Sequence, residues 1–509
     1  MAGSPEQRTN AFMEWLVSNG GVINSPIKLT DSETGSGRGV YAVGDIAEDE
    51  VLFTIPRSAV LCAENSDLKS KMISKDIPDI KVQSVFESSW MELIVVMIYE
   101  FLQGANSRWK PYFDILPNEF NSLMFWSKGE LEELRGSTVL EKIGRESTDL
   151  GFCESLVPVL KDFPELFRCL PYMRGSTATL EPTLSDDEII TLAHRMGSTI
   201  MAYAFDLEKV SDEDPEGDDE GFVSDDEDEV MPKGMVPLAD MLNADADRNN
   251  ARLFQTESGL EMRSTKSIQK GEELFNDYGP LPRSDLLRRY GYITDNYAQF
   301  DVVEVAFHNI VDAAGGHLEL GELEARVSSL HLTIGGPNHT LTSEKIQFLD
   351  GEGLYDSAYD LSHPSPSSSA FPDELLILVN LLLLPQIPRK LPKPGRAPQT
   401  IAVLRRILEA RLKEYPTKLE DDEMLLRDGG LSLRRKMAIE VRLGEKRVLK
   451  EAWLEIEGDN ARSEGNEHLM DVDLQGWGVK REAEDCDTGK GDMESWGEKR
   501  RKKSSDESQ

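Results

Sequence analysis

Pro237-Leu-Ala-Asp240-Met-Leu-Asn243-Ala244-Asp-Ala246, then Glu273-Leu-Phe-Asn276-Asp-Tyr278-Gly279, then Leu286-Leu-Arg-Arg-Tyr290-Gly291: these three pieces of the stretch Met235–Gly291 decide how the chain reads. The first puts a carboxyl and an amide at the end of an apolar run. The second ends in an aromatic hydroxyl followed by glycine, which permits a tight backbone path. The third supplies another tyrosine. Together they predict a pocket for a small molecule and a side chain. Taken singly, each residue also has an ordinary reading. Tyr278 would suit a strand end, Tyr290 the apolar face of a helix with Leu286 and Leu287, and Asp240 the cap of a short turn at 241–243.

Upstream, Gly37-Arg38-Gly39-Val-Tyr41-Ala leads through the largely polar segment 44–50 into Val51-Leu-Phe-Thr-Ile-Pro56. Two short β-rich segments on either side of polar residues predict two strands joined by a turn. Glycines at 37 and 39 let a ligand approach the backbone, although Gly-x-Gly alone is more often only a turn. It is not a dinucleotide fingerprint, because the next glycine is Gly44 and no helix pattern follows. No Gly-Lys-Ser/Thr follows either, so it is not a phosphate-binding P-loop.

Residues 67–199 read as a mostly helical block. Within it, 89–102 is apolar nearly all round and should be deeply buried. Residues 185–205 form another helix, with Asp186, Asp187 and Glu188 in its first turn, where they complement the helix dipole. Tyr203, near its end, has a core reading beside any functional one. A first amphipathic helix is predicted over 10–20. Residues 211–229 hold 12 acidic residues in 19 positions and read as a disordered loop. That loop is either an electrostatic lure for a basic partner or a solvated insertion.

Residues 301–458 read as a separate helical domain, and the apolar run 375–384 as a buried helix too short to span a bilayer. The polar tail 459–509 is predicted to be disordered. Its Lys499-Arg-Arg-Lys-Lys503 run has the form of a nuclear-import signal, although such runs also arise by chance. The expected divisions are 1–66, 67–230, 231–300, 301–458 and 459–509.

With 56 Lys+Arg against 93 Asp+Glu the chain carries a formal charge of −37. Such a surface disfavours direct contact with nucleic acid and suits a basic protein partner, although acidity equally serves solubility alone. The four cysteines are scattered, with no metal-ligand spacing, so no metal site is expected. The cysteine usage fits a reducing, intracellular setting, and a soluble monomer with no membrane association is expected.

The separated pieces, taken in order, resemble the SET-domain protein lysine methyltransferases. Gly37-Arg38-Gly39-Val-Tyr-Ala with Val51-Leu-Phe-Thr-Ile-Pro56 resembles the opening of that domain. Pro237–Asn243 and Glu273–Gly279 resemble its two closing motifs. The large helical block between them, Trp109-Lys-Pro-Tyr112-Phe-Asp-Ile-Leu-Pro117 and the later Arg434–Lys446 segment are similar to the Rubisco-methyltransferase-like branch. Met201-Ala-Tyr203 and Asn243-Ala-Asp-Ala resemble most the fungal ribosomal lysine N-methyltransferase 4 group and its relatives. The resemblance covers roughly residues 10–460.

It implies an α+β fold: small twisted β-sheets with a knot-like closure and a large helical insertion, followed by an all-α C-terminal domain for substrate binding. It implies S-adenosyl-L-methionine as cofactor and lysine of a basic protein, a large-subunit ribosomal protein, as acceptor. Gly37, Arg38, Gly39, Tyr203, Asn243, Ala244 and Tyr290 correspond to cofactor-binding positions. Tyr203, Asp240 and Tyr278 correspond to the substrate site, with Tyr278 the catalytic tyrosine. The family's histidine after the asparagine is Ala244 here, which removes any imidazole hydrogen bond. Two other readings stay open: a non-catalytic acidic binder of basic proteins, motivated by Ala244 and the acidic run, and a methyltransferase acting on histidine or on histones. A nuclear and also cytoplasmic location is expected.

Methyl transfer to lysine is an in-line displacement by a neutral amine on a methyl carried by a sulfonium. It asks for alignment and exclusion of water more than for a strong base. A free lysine titrates near ~10.4, and a dry pocket lowers that value. A tyrosine hydroxyl on a rigid wall suits the task of orienting the amine.

Overall fold

The computed structural model describes residues 4–31, 37–73, 83, 85–168, 183–208, 231–315 and 343–463. The acidic run 211–229, the basic run 499–503, Cys169 and Cys486 lie outside the described residues.

Two four-stranded sheets frame the pocket. The strands are β1 (Val22–Ile23), β2 (Ile27–Asp31), β3 (Arg38–Ala42), β4 (Val51–Pro56), β5 (Ala204–Asp206), β6 (Lys233–Met235), β7 (Asn243–Ala244), β8 (Ala251–Gln255), β9 (Gly259–Ser264) and β10 (Glu273–Asn276). One sheet has the order β1-β4-β9-β8 and the other β2-β3-β10-β7. β10 is antiparallel to β3 and parallel to β7, so the closing motif is wedged between the opening motif and the Asn243 segment. β3 and β4 are the two expected strands, but they do not pair with each other: they belong to different sheets. The polar segment 44–50 crosses between the sheets, pinned where Ile46 bridges Ile268.

The first helix, α1 (Pro5–Ser18), begins earlier than its apolar face suggests. Ser4 caps it, and Gln7 completes a reciprocal capping box. α2 (Ser89–Gln103) is buried nearly all round, as its composition predicts. α3 (Asp186–Tyr203) carries a Ser185/Glu188 capping box and stops at Tyr203, where the chain turns into β5. The predicted helical residues 204 and 205 are therefore strand. Between α2 and α3 the described chain forms short helices and turns, and the π-helical segment Phe152–Leu156 joins the helices Arg145–Gly151 and Val157–Asp162. One hydrophobic core unites the sheets with α1, α2 and α3.

α4 (Arg283–Tyr290) follows β10 and delivers Tyr290. Its start is organised by Asp301, whose carboxylate accepts from the Arg283 backbone N–H at 3.0 Å and pairs with the guanidinium at 2.6 Å. Its end is Gly291, with φ +76 and its N–H donating to the Leu287 carbonyl. A Cβ on Gly291 would lie 2.6 Å from the Ser122 backbone nitrogen, so only glycine allows this approach.

The C-terminal part is helical apart from a two-stranded ribbon, β11 (Val302–Ala306) with β12 (Ala358–Ser362). Besides the short helices Phe307–Ala313 and Ser343–Gly351, it contains α5 (Asp373–Leu382), α6 (Pro398–Glu414), α7 (Leu419–Asp428) and α8 (Leu433–Ser463). α8 runs into the segment whose composition predicts disorder. The C-terminal core is separate, but Met437, Ala438 and Val441 of α8 pack with Trp126 and Leu287 in a small bridging cluster.

Candidate active site

Six of the candidate residues meet in two adjoining places. A narrow pocket of about 40 Å³ is lined by Tyr203, Asp240, Tyr278 and Tyr290, together with Met201 and Arg289. A polar junction beside it involves Arg38 and Asn243 through β3, β7 and β10.

At the junction the Asn243 amide donates to Glu273 Oε1 at 2.7 Å and to the Arg38 carbonyl at 3.3 Å. The Tyr41 hydroxyl donates to the other Glu273 oxygen at 2.9 Å, and the Arg38 guanidinium to the Ile115 carbonyl at 2.8 Å. A Cβ on Gly39 would displace the Glu273 carboxylate from these bonds and would lie 3.1 Å from Asn243 Nδ2. Ala244 is buried, and in the parallel ladder it faces Asn276, which itself lines the tyrosine pocket. The connection between junction and pocket is therefore the short strand β10.

In the pocket, the rings of Tyr278 and Tyr290 stack with centroids 4.2 Å apart and planes 11° from parallel. Tyr292 packs edge-on against Tyr290 at 6.3 Å. Leu286 and Leu287 take the fully buried face of α4, which leaves Tyr290 half-buried at the pocket wall. Burial and then the neighbouring tyrosines push the Tyr278 hydroxyl well above the usual phenol range, so it stays a neutral donor. Burial, then Asp240, pushes Tyr203 up to about 12.

Asp240 is buried and does not cap a helix. It lies inside a single 3₁₀ turn, 239–241, entered through Leu238 at φ +75. A bulky residue in that region is strained, and the strain is held by complete burial of Leu238. The Tyr112 hydroxyl donates to Asp240 Oδ2, while Oδ1 is buried with no hydrogen-bond partner among the described residues. Burial pushes the Asp240 carboxyl up to about 8, against the lowering effect of the Tyr112 hydrogen bond. Tyr112, Tyr292 and the strained Leu238 were not singled out by sequence reasoning. Tyr112 lies 128 residues from Asp240, and no local pattern links them.

The Asp240 shift has a pH consequence. The folded pKa is raised above the ordinary 3.8, so its contribution to stability is complete below that value and declines as pH rises to about 8. Asp240→Asn keeps an acceptor for Tyr112 and cannot ionise. Its melting temperature is expected to gain on the parent's steadily from about pH 5 to pH 8. Thermal melts across that range check this, and a pH-independent difference would count against it.

The residues fit a sulfonium-bearing cofactor. Electron-rich tyrosine faces and the unpartnered acceptor Oδ1 of Asp240 suit a cation. The space beside Gly37 is open, with nothing within 4 Å of where its Cβ would be and φ at +94, so a ligand can lie along the backbone there.

Comparison with known proteins agrees with this architecture. A SET-domain profile matches residues 37–279, and a Rubisco LSMT substrate-binding profile matches 336–449. The ribosomal lysine N-methyltransferase 4 of Saccharomyces cerevisiae is 33% identical over 389 residues, 75% of this chain and 72% of that protein. The N-lysine methyltransferase setd6 of Xenopus laevis is 27% identical over 464 residues, 86% of this chain and 93% of that protein. The solved structure of the SET domain of LSMT bound to lysine and AdoHcy shares the fold, with a TM-score of 0.60 at 18% identity, covering 93% of this chain and 97% of that one. With these matches laid over two small sheets, a helical insertion and a helical C-terminal part, the chain belongs to the SET-domain protein-lysine N-methyltransferases that carry a Rubisco LSMT substrate-binding domain.

Proposed function

We propose that this enzyme methylates a lysine of a ribosomal protein, one of the large subunit, in the nucleus and the cytoplasm. The reaction class is that of its family: S-adenosyl-L-methionine-dependent transfer to protein lysine. The observation that carries the site assignment is the narrow pocket in which Tyr278, Tyr203, Tyr290 and Asp240 converge. The ribosomal acceptor is supported by the name of the yeast relative and by the −37 charge, which suits a basic protein.

The cofactor supplies an activated methyl group on a positive sulfur. Gly37, Arg38, Gly39, Asn243, Ala244 and Tyr290 are assigned to hold it, with the Asn243–Glu273–Arg38 hydrogen bonds fixing the backbone that it lies against. Tyr203, Asp240 and Tyr278 line the acceptor channel. The neutral Tyr278 hydroxyl orients the amine lone pair, and the ring walls exclude water, which lowers the amine pKa. The amine's proton leaves to solvent before transfer, so no strong side-chain base is required.

The test is incubation of the full chain with tritiated S-adenosyl-L-methionine and a ribosomal extract, followed by mass spectrometry of the labelled peptide. Label on a lysine of one ribosomal protein is expected. Label confined to histidine, to histones or to no protein would overturn the proposal.

A further inference from the structure

Behind the tyrosine pocket lies a second cavity of about 170 Å³ that the catalytic assignment does not use. Its apolar wall is Trp90, Met124, Ile143, Phe152 and Met201. Met201 and Arg289 line both cavities, so the two share a wall. Two residues of extended chain span ~7 Å. A peptide with its lysine beside Tyr278 therefore has a neighbouring side chain within reach of the second cavity.

The chemistry of the wall selects the occupant. Lys142 is paired with Glu304 at 2.6 Å, and Arg288 with Asp285 at 2.9 Å, so these cations do not call for an acidic ligand. His194 is held by Asp149, and its ring meets Phe152 edge-on at 5.2 Å. Phe152 opens the π-helical turn, a local departure often found at functional positions. Apolar cavities of ~150 Å³ accept a ring the size of benzene. Ser122 adds one polar feature: its hydroxyl is buried with no hydrogen-bond partner among the described residues.

We propose that this cavity is a specificity subsite that takes a bulky apolar side chain two or three residues from the target lysine. The proposal rests on the assignment of the tyrosine pocket as the lysine channel. It adds a sequence requirement to the acceptor: a basic protein segment with a leucine-like or aromatic residue close to the modified lysine.

Peptides with one central lysine and a photo-leucine moved through the flanking positions test it on the full chain. Photo-leucine at one position, two or three residues from the lysine, is expected to label Met124, Ile143 or Met201. Leucine in place of alanine there should raise kcat/KM roughly tenfold or more. Ser198→Phe, which fills the cavity from a half-buried position on α3, should abolish both effects while leaving saturable cofactor binding unchanged. Label that falls outside the cavity from every position, or that survives Ser198→Phe, would overturn the subsite. Cross-linking needs no turnover. Failure of wild type to bind cofactor or transfer methyl would instead tell against the catalytic assignment, so the two failures are distinguishable.

Discussion

Tyr278→Phe is expected to lower kcat roughly 100-fold or more while leaving cofactor affinity nearly unchanged. The substitution removes one oxygen and preserves the ring that stacks 4.2 Å from Tyr290, so the wall of the pocket stays in place. What is lost is the donor that fixes the direction of the attacking lone pair. In a displacement whose barrier is mostly set by alignment, a shift of about 1 Å is worth a factor on the order of 100. Because burial holds the Tyr278 hydroxyl well above its usual pKa, the loss should be equal across the neutral range. Single-turnover methyl transfer with calorimetry of the cofactor separates the two quantities. Equal kcat in parent and variant would remove Tyr278 from the chemistry. A large fall in cofactor affinity would make it a binding residue instead.

The parts of this site that were legible in the sequence are those carried by short contiguous motifs. Gly37-Arg38-Gly39 stands out because glycines flank a charged residue at a strand entry, and a Cβ on Gly39 would displace the Glu273 carboxylate. Asn243 and Tyr278 sit within one stretch whose alternation marks strands, and β7 and β10 do pair there. Illegible were the relations between distant residues. The Tyr112–Asp240 hydrogen bond crosses 128 residues. The sheet membership of β3 and β4 depends on β10 and β9, more than 200 residues downstream, so local spacing marks two strands and not the sheets they join. The strained φ of Leu238 has no sequence signature, since nothing in a leucine announces a left-handed backbone. Ala244, too, has a partner remote in sequence. The position is a short parallel strand beside Asn276, which requires main chain and no imidazole, and the Asn243 hydrogen bonds run to Glu273 and Arg38.

Asp422→Ala should cost the protein about 3–5 kcal/mol, the largest stability loss expected from one surface-remote carboxylate in the C-terminal part. Asp422 is fully buried and accepts from Arg442 at 2.8 Å, Lys446 at 2.6 Å and Thr417 at 2.8 Å. Burial alone would raise its pKa, but Arg442 and Lys446 hold it below the usual carboxylate value. Its contribution is thus present above pH ~4 and lost as pH falls through the depressed folded value. Truncation leaves two cations in the interior with less compensation. Lys446, whose pKa burial already lowers, can shed its proton, whereas Arg442 cannot and falls back on Glu133. The consequence reaches the active site by a short route. Arg442 and Lys446 stand on α8, the same helix whose Met437, Ala438 and Val441 pack on Leu287 of α4, and α4 ends at the pocket residue Tyr290. Denaturant unfolding should therefore show a lower midpoint, and steady-state kinetics a higher KM for the protein acceptor. Removing a second charge isolates the cause: Asp422→Ala combined with Lys446→Met should recover part of the loss, because one stranded cation goes with its partner. If the double variant is no more stable than the single one, the loss comes from packing around Asp422 and the ion cluster is not what secures α8 against the catalytic half.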